Sequence, residues 1–266
     1  MTRAIAVANQ KGGVGKTTSS INFACGWARG LGPGRVLLVD IDPQANATAV
    51  LLGLESAAGP RHSESLTIRE VLREEADPAD VIQNVDLQAT DAYAETTVDV
   101  LPSHLELATI ETELSVAFRG EYRLKKAMDG VAREYDVIIV DCPPSLGILT
   151  LNALVFCQEV VIPVDPGVFP LIGLNLLRGT IEQVREANPR LHISGVMPTM
   201  SMNTVISRET VEQLGDHFGD LLLPEIPRRV AIEESHVNGI DVFGSAPGSD
   251  GAQAYARVIE ELRNRG

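Results

Sequence analysis

The chain has 266 residues, of which 44% are hydrophobic, enough for one large core. Its 36 acidic residues outnumber its 22 basic residues and give a formal net charge of −14, which argues against a general binder of polyanions. No apolar run approaches the length of a membrane-spanning helix, and strand-like runs alternate with helical patterns, which predicts an α/β fold with a single doubly wound, mostly parallel sheet and helices on both faces.

The first predicted strand, residues 3–8 (RAIAVA), leads into a glycine-rich loop, residues 9–18 (NQKGGVGKTT). Glycines let successive backbone N–H groups turn toward a phosphate, and apolar residues follow at helical spacing. This order predicts a phosphate-binding loop in which Lys16 reaches the β- and γ-phosphates and the Thr17 hydroxyl contacts Mg²⁺. The remaining predicted phosphate-binding residues are Gly12, Gly13, Val14, Gly15 and Thr18.

Two features separate this loop from the common pattern GxxxxGK[ST]. Gln10 stands where that pattern has its first glycine, and Lys11 adds a second lysine. Two ammonium groups in one mononucleotide site would repel each other and both lose hydration. We therefore expect Lys11 to point to a different site, and the alternative is an ordinary solvated loop lysine.

The second predicted strand ends in two acidic residues. Residues 36–39 (VLLV) are continuously apolar, as in a central parallel strand, and Asp40 and Asp42 follow. Open α/β sheets hold their ligands at the carboxyl ends of the strands. Both carboxylates are therefore candidates for the site, although a cap on the next helix is an alternative for Asp40.

The region from residue 53 to residue 97 is acidic and irregular. Gly59-Pro60 and Asp77-Pro78 interrupt it. We predict a helical insertion with loops and a solvated, charged surface, within a single domain that spans residues 1–266.

A third apolar run, residues 137–140 (VIIV), ends in Asp141. Such a run is common in α/β proteins, but its place downstream of a phosphate-binding loop predicts that Asp141 holds Mg²⁺ through water. Pro143 and Pro144 stiffen the turn that follows.

Cys25, Cys142 and Cys157 have neither metal nor redox spacing, and the five histidines are scattered. The first predicted strand begins within three residues of Met1, which leaves no room for a signal peptide. We therefore expect reduced thiols and a cytoplasmic protein.

Together these segments resemble the ParA/MinD family of dimerising ATPases, and are closer to the ParA-type, Soj-like partition ATPases than to MinD. The loop with its early lysine resembles the deviant Walker A motif, and residues 36–48 (VLLVDIDPQANAT) the second family motif. Residues 135–147 (YDVIIVDCPPSLG) resemble the Walker B motif and switch II. Looser matches cover residues 98–114, 159–177, 193–200 and 222–235. Pro166, Gly167 and Val168 depart from the family's polar and aromatic residues, which leaves the partner open.

The resemblance implies a slow ATPase that uses ATP and Mg²⁺ as an ATP-dependent homodimer. Lys11 would cross to the phosphates bound by the partner subunit. With Lys16 it belongs to the catalytic set, and Asp42 would orient the attacking water. Asp40 would lie nearer the metal's second shell, beside the metal-site residues Thr17 and Asp141. Pro227 and Arg228 would contact the adenine.

The resemblance also implies non-specific DNA binding, association with the nucleoid when ATP is bound, and stimulation by a ParB-like or cargo-adaptor protein. An acidic protein can bind DNA through a local patch, because phosphate contacts act within about 8–10 Å. The family's arginines near Thr204 and at Ala231 are missing. The candidates for DNA contacts are therefore Arg208 and Arg229, from a set of late arginines that also includes Arg178, Arg185, Arg190, Arg228, Arg257, Arg263 and Arg265.

Two other classes of protein are alternatives. A MinD-like membrane regulator would end in a basic amphipathic helix, but Glu260 and Glu261 in the C-terminal segment oppose anionic lipid. The apolar stripe of that segment is small and typical of a helix packed on a core. It consists of Tyr255, Val258, Ile259 and Leu262. We therefore expect no membrane partner.

An iron-protein reductase would need paired cysteines, which the sequence lacks. The cargo is open, since a chromosome or plasmid segregator and a positioner of a protein body would share these motifs.

Overall fold

The computed structural model describes residues 2–32, 34–59, 66–167 and 170–266. Pro60 and Val168, named above, lie outside these residues. One eight-stranded sheet has the strand order β3-β4-β2-β5-β1-β6-β7-β8. The strands are β1 (Arg3–Val7), β2 (Val36–Asp40), β3 (Gln83–Leu87), β4 (Thr96–Leu101), β5 (Val137–Asp141), β6 (Glu159–Val164), β7 (His192–Ser201) and β8 (Ile226–Pro227).

Helices cover both faces of the sheet. They are α1 (Lys16–Gly26), α2 (Asn46–Leu52), α3 (Leu54–Ala58), α4 (Ile68–Leu72), α5 (Pro78–Val81), α6 (Glu111–Val116), α7 (Arg123–Val131), α8 (Ile148–Phe156), α9 (Pro170–Val184), α10 (Val205–Phe218), α11 (Val230–Val237), α12 (Val242–Ser245) and α13 (Asp250–Arg265). One buried apolar cluster includes side chains of α4, α6, α7, α8 and α9. The other includes side chains of α1, α11, α12 and α13. The two clusters occupy opposite faces, which confirms the predicted doubly wound fold.

The three central strands bring the acidic residues together. The apolar runs of β1, β2 and β5 are buried at every position except Arg3, as expected of strands covered on both faces. Their parallel register places Asp40 opposite Asp141, and Val7 opposite Asp141 on the other side. The carboxyl ends of β1, β2 and β5 therefore meet at one edge, where the glycine-rich loop begins.

The region 53–97 is only partly helical. Its described part forms α3, α4 and α5, and then β3, which pairs antiparallel with β4 at the edge of the sheet. Sequence patterning did not predict β3, because its residues (QNVDL) are mostly polar and mostly exposed, and only Val85 and Leu87 alternate with polar residues, which is too short a pattern to indicate a strand.

A buried ion pair ties α1 to the C-terminal helices. Arg29 lies in the π-helical turn after α1, residues 27–31, and its Nη2 atom is 2.9 Å from Asp241 Oδ2. The two side chains are 2% and 0% exposed. Asp241 Oδ1 also accepts a hydrogen bond from the Gly244 N–H at 2.9 Å, which caps α12. Removal of either partner would leave the other charge buried alone.

Replacing Asp241 by Ala should therefore lower the free energy of unfolding by about 3–5 kcal/mol, measured by urea denaturation, because the Arg29 guanidinium would stay buried without its partner. The matched control is Glu182→Ala, which removes the exposed partner of Arg185 and should cost less than about 1 kcal/mol. Equal losses in the two variants would contradict the importance of the buried pair.

Candidate nucleotide site

The glycine-rich loop is held in place by neighbouring strands. Gly13 and Gly15 adopt left-handed backbone angles, with φ of 69° and 76°, a conformation that favours glycine. The Asn9 side chain donates to the Pro163 carbonyl at 2.8 Å and accepts from the Lys11 N–H at 3.0 Å. The Thr199 hydroxyl donates to the Val14 carbonyl at 2.9 Å. The loop is thus fixed to the ends of β6 and β7, and its N–H groups lie at the start of α1, where an anion is favoured.

Lys16 lies inside the loop and is 6% exposed. Its Nζ atom donates to the Lys11 carbonyl at 3.1 Å. Burial lowers the pKa of the Lys16 ammonium, while Asp141, Cys142 and Asp42 act in the opposite direction. The structure therefore places this cation between the loop and the carboxylates, and its contact with bound phosphates stays a prediction.

Asp141 presents an oxygen atom that lacks a donor. Its Oδ1 accepts from the Ser20 hydroxyl at 2.8 Å, whereas Oδ2 is buried and has no hydrogen-bond partner among the described residues. Burial, followed by the neighbouring charge of Asp40, raises the pKa of the Asp141 carboxyl, and the hydroxyls of Thr17 and Ser20 oppose this shift. An unpartnered carboxylate oxygen beside hydroxyls suits a hard divalent cation.

Within the described ranges, no group of three His, Cys, Asp or Glu side chains could hold a metal ion without help. This fits Mg²⁺, which usually takes one or two carboxylates together with phosphate oxygens and water. Of the three residues predicted from the sequence to lie at the metal, Thr17, Asp40 and Asp141, the geometry favours Thr17 and Asp141 as the ones that could hold it, and this role stays a prediction.

Asp40 is already engaged within the protein. Its Oδ2 accepts from the Thr48 N–H at 2.9 Å and the Thr48 hydroxyl at 2.8 Å, and its Oδ1 accepts from the Asp42 N–H at 3.1 Å. It thereby ties α2 and the Asp42 turn to the end of β2. This geometry favours the helix-capping role, and contact with a metal through water stays a prediction for Asp40.

Asp42 lies on the turn after β2 and is 5% exposed. Its Oδ1 accepts from the Gln44 N–H at 2.9 Å, and the Ser103 hydroxyl donates to its carbonyl at 2.7 Å. Burial raises the pKa of the Asp42 carboxyl, and the Gln44 N–H and Lys16 oppose this. The charge of Lys16 thus acts on a carboxylate whose backbone is fixed on both sides.

The side chain of Lys11 pairs with Asp165, outside the glycine-rich loop. Its Nζ atom is 3.5 Å from Asp165 Oδ2, and half of the Lys11 side chain is exposed. Asp165 follows β6 in a loop where sequence reasoning placed no functional residue. Its acidic character at the carboxyl end of a central strand was the available signal.

A cleft of about 160 Å³ joins the loop to the turn after β8. Gly15 and Thr18 line one part of it, and Pro227 and Arg228, the predicted adenine contacts, line another. Met200, Ile226 and Ile232 also line it, so a flat apolar ring could bind there. Arg228 is exposed and pairs with Glu233 at 3.3 Å.

The two predicted DNA contacts lie on the surface. Arg208 is exposed on α10, and Arg229 precedes α11, lines the same cleft and pairs with Asp250 at 3.3 Å. Thr204, where an arginine is missing, instead caps α10 by accepting from the Ser207 N–H. No helix in the described part of the chain combines the length and apolar character needed to cross a membrane.

Comparisons relate the whole chain to known proteins. The profile of a family described as AAA domain matches residues 2–193. The sporulation initiation inhibitor protein Soj of Bacillus subtilis is 39% identical over the full length of both chains. The chromosome partitioning protein ParA of Caulobacter vibrioides is 36% identical over 99% of this chain and 94% of its own. A Mycobacterium smegmatis structure, described as cobyrinic acid a,c-diamide synthase with bound ATP analog and magnesium, is 32% identical, with a TM-score of 0.79 over 98% and 93% of the two chains.

Replacing Asp141 by Asn should raise the free energy of unfolding by about 1–2 kcal/mol in EDTA at neutral pH, because the amide avoids the cost of burying a carboxyl whose pKa is raised by burial and by Asp40. The matched control is Asp99→Asn. Asp99 is also buried, but it accepts from Arg35, Asn84 and Tyr135 at 3.0, 2.7 and 2.9 Å.

Because those donors would lose a charged acceptor, Asp99→Asn should destabilise the protein by about 1–3 kcal/mol. Urea denaturation of both variants measures the contrast. Destabilisation by Asp141→Asn of the same size would contradict the view that the Oδ2 atom of Asp141 lacks a hydrogen-bond partner without a cation.

Proposed function

The chain belongs to the ParA-type partition ATPases, and from this premise we propose that it is an ATP-hydrolysing dimerisation switch that positions or segregates a cargo. The observation that carries the proposal is the opposite placement of two lysines in one loop. Lys16 lies buried among the site's carboxylates, and Lys11 lies outside, against Asp165. In the proposed dimer, one subunit would offer a cation to its own site and another to a second subunit.

The nucleotide would be held by the loop and the start of α1. Backbone N–H groups of residues 12–18 and the Lys16 ammonium would bind the phosphates, and Pro227 and Arg228 would contact the adenine in the adjoining cleft. Thr17 and Asp141 would hold Mg²⁺, which neutralises phosphate charge when bound. Support comes from the unpartnered Oδ2 of Asp141 and from the Mycobacterium smegmatis structure with an ATP analog and magnesium.

Asp42 would orient the water that attacks the terminal phosphate. Its turn is fixed by Gln44 and by Ser103, and phosphoryl transfer depends mainly on such positioning and on charge neutralisation. Asp40 would act through Asp42 and α2, since its own oxygens accept hydrogen bonds from both.

Lys11 would leave Asp165 when two subunits meet and would contact the phosphates bound by the partner. An exposed ion pair at 3.5 Å contributes about 0–1 kcal/mol, so a bound triphosphate can compete for the lysine. ATP would therefore favour the dimer, and hydrolysis would release it.

The dimer would bind DNA non-specifically and act in the cytoplasm at the nucleoid, with a ParB-like or cargo-adaptor protein that stimulates hydrolysis. The names of the relatives support partition as the process. The MinD-like alternative is less well supported. The stripe on α13 is at most 1% exposed and packs in the core: Tyr255, Val258, Ile259 and Leu262.

Replacing Asp42 by Ala should preserve ATP-dependent dimerisation and lower ATP turnover at least about 100-fold, because the water loses its orienting carboxylate. Phosphate release measures turnover, and light scattering measures dimerisation. Asp86→Ala on the exposed edge strand β3 is the control and should leave turnover unchanged. Normal turnover in Asp42→Ala would remove Asp42 from the mechanism.

Binding to a random-sequence duplex, followed by fluorescence anisotropy across a salt series, should require ATP and weaken steeply with salt. The double variant Arg208→Ala/Arg229→Ala should lose at least about tenfold in affinity and reduce the salt slope by about two. The double variant Arg185→Ala/Arg263→Ala is the matched control. Equal losses in both would overturn the assignment of Arg208 and Arg229, and no binding in any nucleotide state would remove DNA from the function.

A further inference from the structure

The turn between α6 and α7 exposes two large apolar side chains. Val116 is 83% exposed and Phe118 is 87% exposed. The turn is tight, since the Gly120 N–H donates to the Ala117 carbonyl, and a Cβ atom at Gly120 would lie 1.9 Å from the Leu114 carbonyl oxygen. Arg119 adopts a left-handed backbone with φ of 55°. The exposure of Phe118 therefore follows from a constrained backbone, and it has the form of a contact surface.

A cavity of about 620 Å³ lies beside Phe118 and is locally cationic. Four cationic side chains and two carboxylates line it: Arg119, Arg123, Lys125 and Lys126, with Glu74 and Asp129. This excess of positive charge occurs on a chain whose formal net charge is −14. The cavity therefore suits an anionic ligand.

Part of that positive charge is unpaired. Glu74 pairs with both Arg123, at 2.5 Å, and Lys126, at 2.8 Å. Arg119 instead lies over the rings of Phe118 and Tyr122, 5.5 and 5.8 Å from their centroids. Across the described ranges, neither Arg119 nor Lys125 has a carboxylate within 4.0 Å. A ligand could bind both cations without breaking an existing ion pair.

We infer that this surface, formed by Val116, Phe118, Arg119 and Lys125, docks an acidic segment of a partner protein that also carries an apolar side chain. The inference rests on the proposed function and specifies the chemistry of its partner. The combination of an aromatic anchor with arginine is typical of protein interfaces. Duplex DNA would use the cations but would gain little from Phe118 and Val116.

The surface is linked through Asn152 to α8, the helix that follows the predicted switch. The Asn152 amide group donates to the Gly120 carbonyl at 2.9 Å, and its oxygen accepts from the Leu124 N–H at 2.9 Å. Asn152 lies on α8, which begins after the Asp141–Gly147 segment. A partner that moves the turn would therefore displace the helix next to the predicted switch. By linkage, partner affinity should then differ between nucleotide states.

Fluorescence anisotropy with a short labelled peptide, rich in glutamate and with a central leucine-phenylalanine pair, tests the inference on the full chain. The same peptide with lysine in place of glutamate is the control ligand. The wild type should prefer the acidic peptide at least about tenfold, and Phe118→Ser and Arg119→Glu/Lys125→Glu should each lose at least about tenfold. Val205→Ser and Arg185→Glu, exposed positions elsewhere, should bind as the wild type does.

Absence of measurable binding, equal binding by the surface variants and the wild type, or preference for the lysine peptide would overturn the inference. Displacement by random-sequence duplex with no effect of Phe118→Ser would identify a nucleic-acid site and would also overturn it. Thermal denaturation checks that the variants are folded.

The affinity for the acidic peptide should change at least about fivefold between a non-hydrolysable ATP analogue and ADP, and equal affinities would overturn the connection through Asn152. Lys16→Ala separates this inference from the proposed function, because it removes nucleotide binding and leaves the surface intact. Peptide binding without any ATP hydrolysis by the wild type would contradict the function alone. ATP hydrolysis without peptide binding would contradict the docking surface alone.

Discussion

The structure depends on one electrostatic constraint, the burial of two carboxylates side by side at the carboxyl end of the sheet. Asp40 and Asp141 are register partners on β2 and β5, and both are fully buried. Burial and mutual repulsion raise the pKa of the Asp141 carboxyl, so the charged pair is unfavourable without cations. Asp40 is stabilised by Thr48 and the Asp42 backbone, whereas Asp141 keeps one oxygen unpaired. This asymmetry favours a structural role for Asp40 and supports the proposal that Asp141 holds the cation.

The same constraint explains the two lysines. Lys16 occupies the buried space between the loop and the carboxylates, and burial lowers the pKa of its ammonium. A second ammonium there would face repulsion and desolvation, and Lys11 indeed lies outside, 3.5 Å from Asp165. In the proposed dimer, each subunit would keep one cation for its own site and would hold the other weakly. Dimerisation coupled to the nucleotide would follow from that division.

The features that could be predicted from the sequence are local ones. Continuous apolar runs identified β1, β2 and β5, and the order of strand, glycine-rich loop and helix identified the loop. The contacts of Lys11 with Asp165 and of Thr199 with Val14 could not be predicted, because they join residues far apart in the chain. The edge strand β3 was missed because its sequence is mostly polar and the strand is defined by its pairing with β4. The sequence left Asp40 ambiguous between cap and ligand, and its hydrogen bonds to Thr48 favour the cap.

The central claim is that Lys11 acts on the other subunit. Light scattering after size-exclusion chromatography, with Mg²⁺ and either a non-hydrolysable ATP analogue or ADP, tests it for the wild type and Lys11→Ala. We expect the wild type to be a dimer with the ATP analogue and a monomer with ADP. We expect Lys11→Ala to be a monomer with either nucleotide, while its nucleotide affinity, measured by calorimetry, stays within about threefold of that of the wild type. A Lys11→Ala variant that dimerises like the wild type, or a wild type that stays monomeric with the analogue, would contradict it.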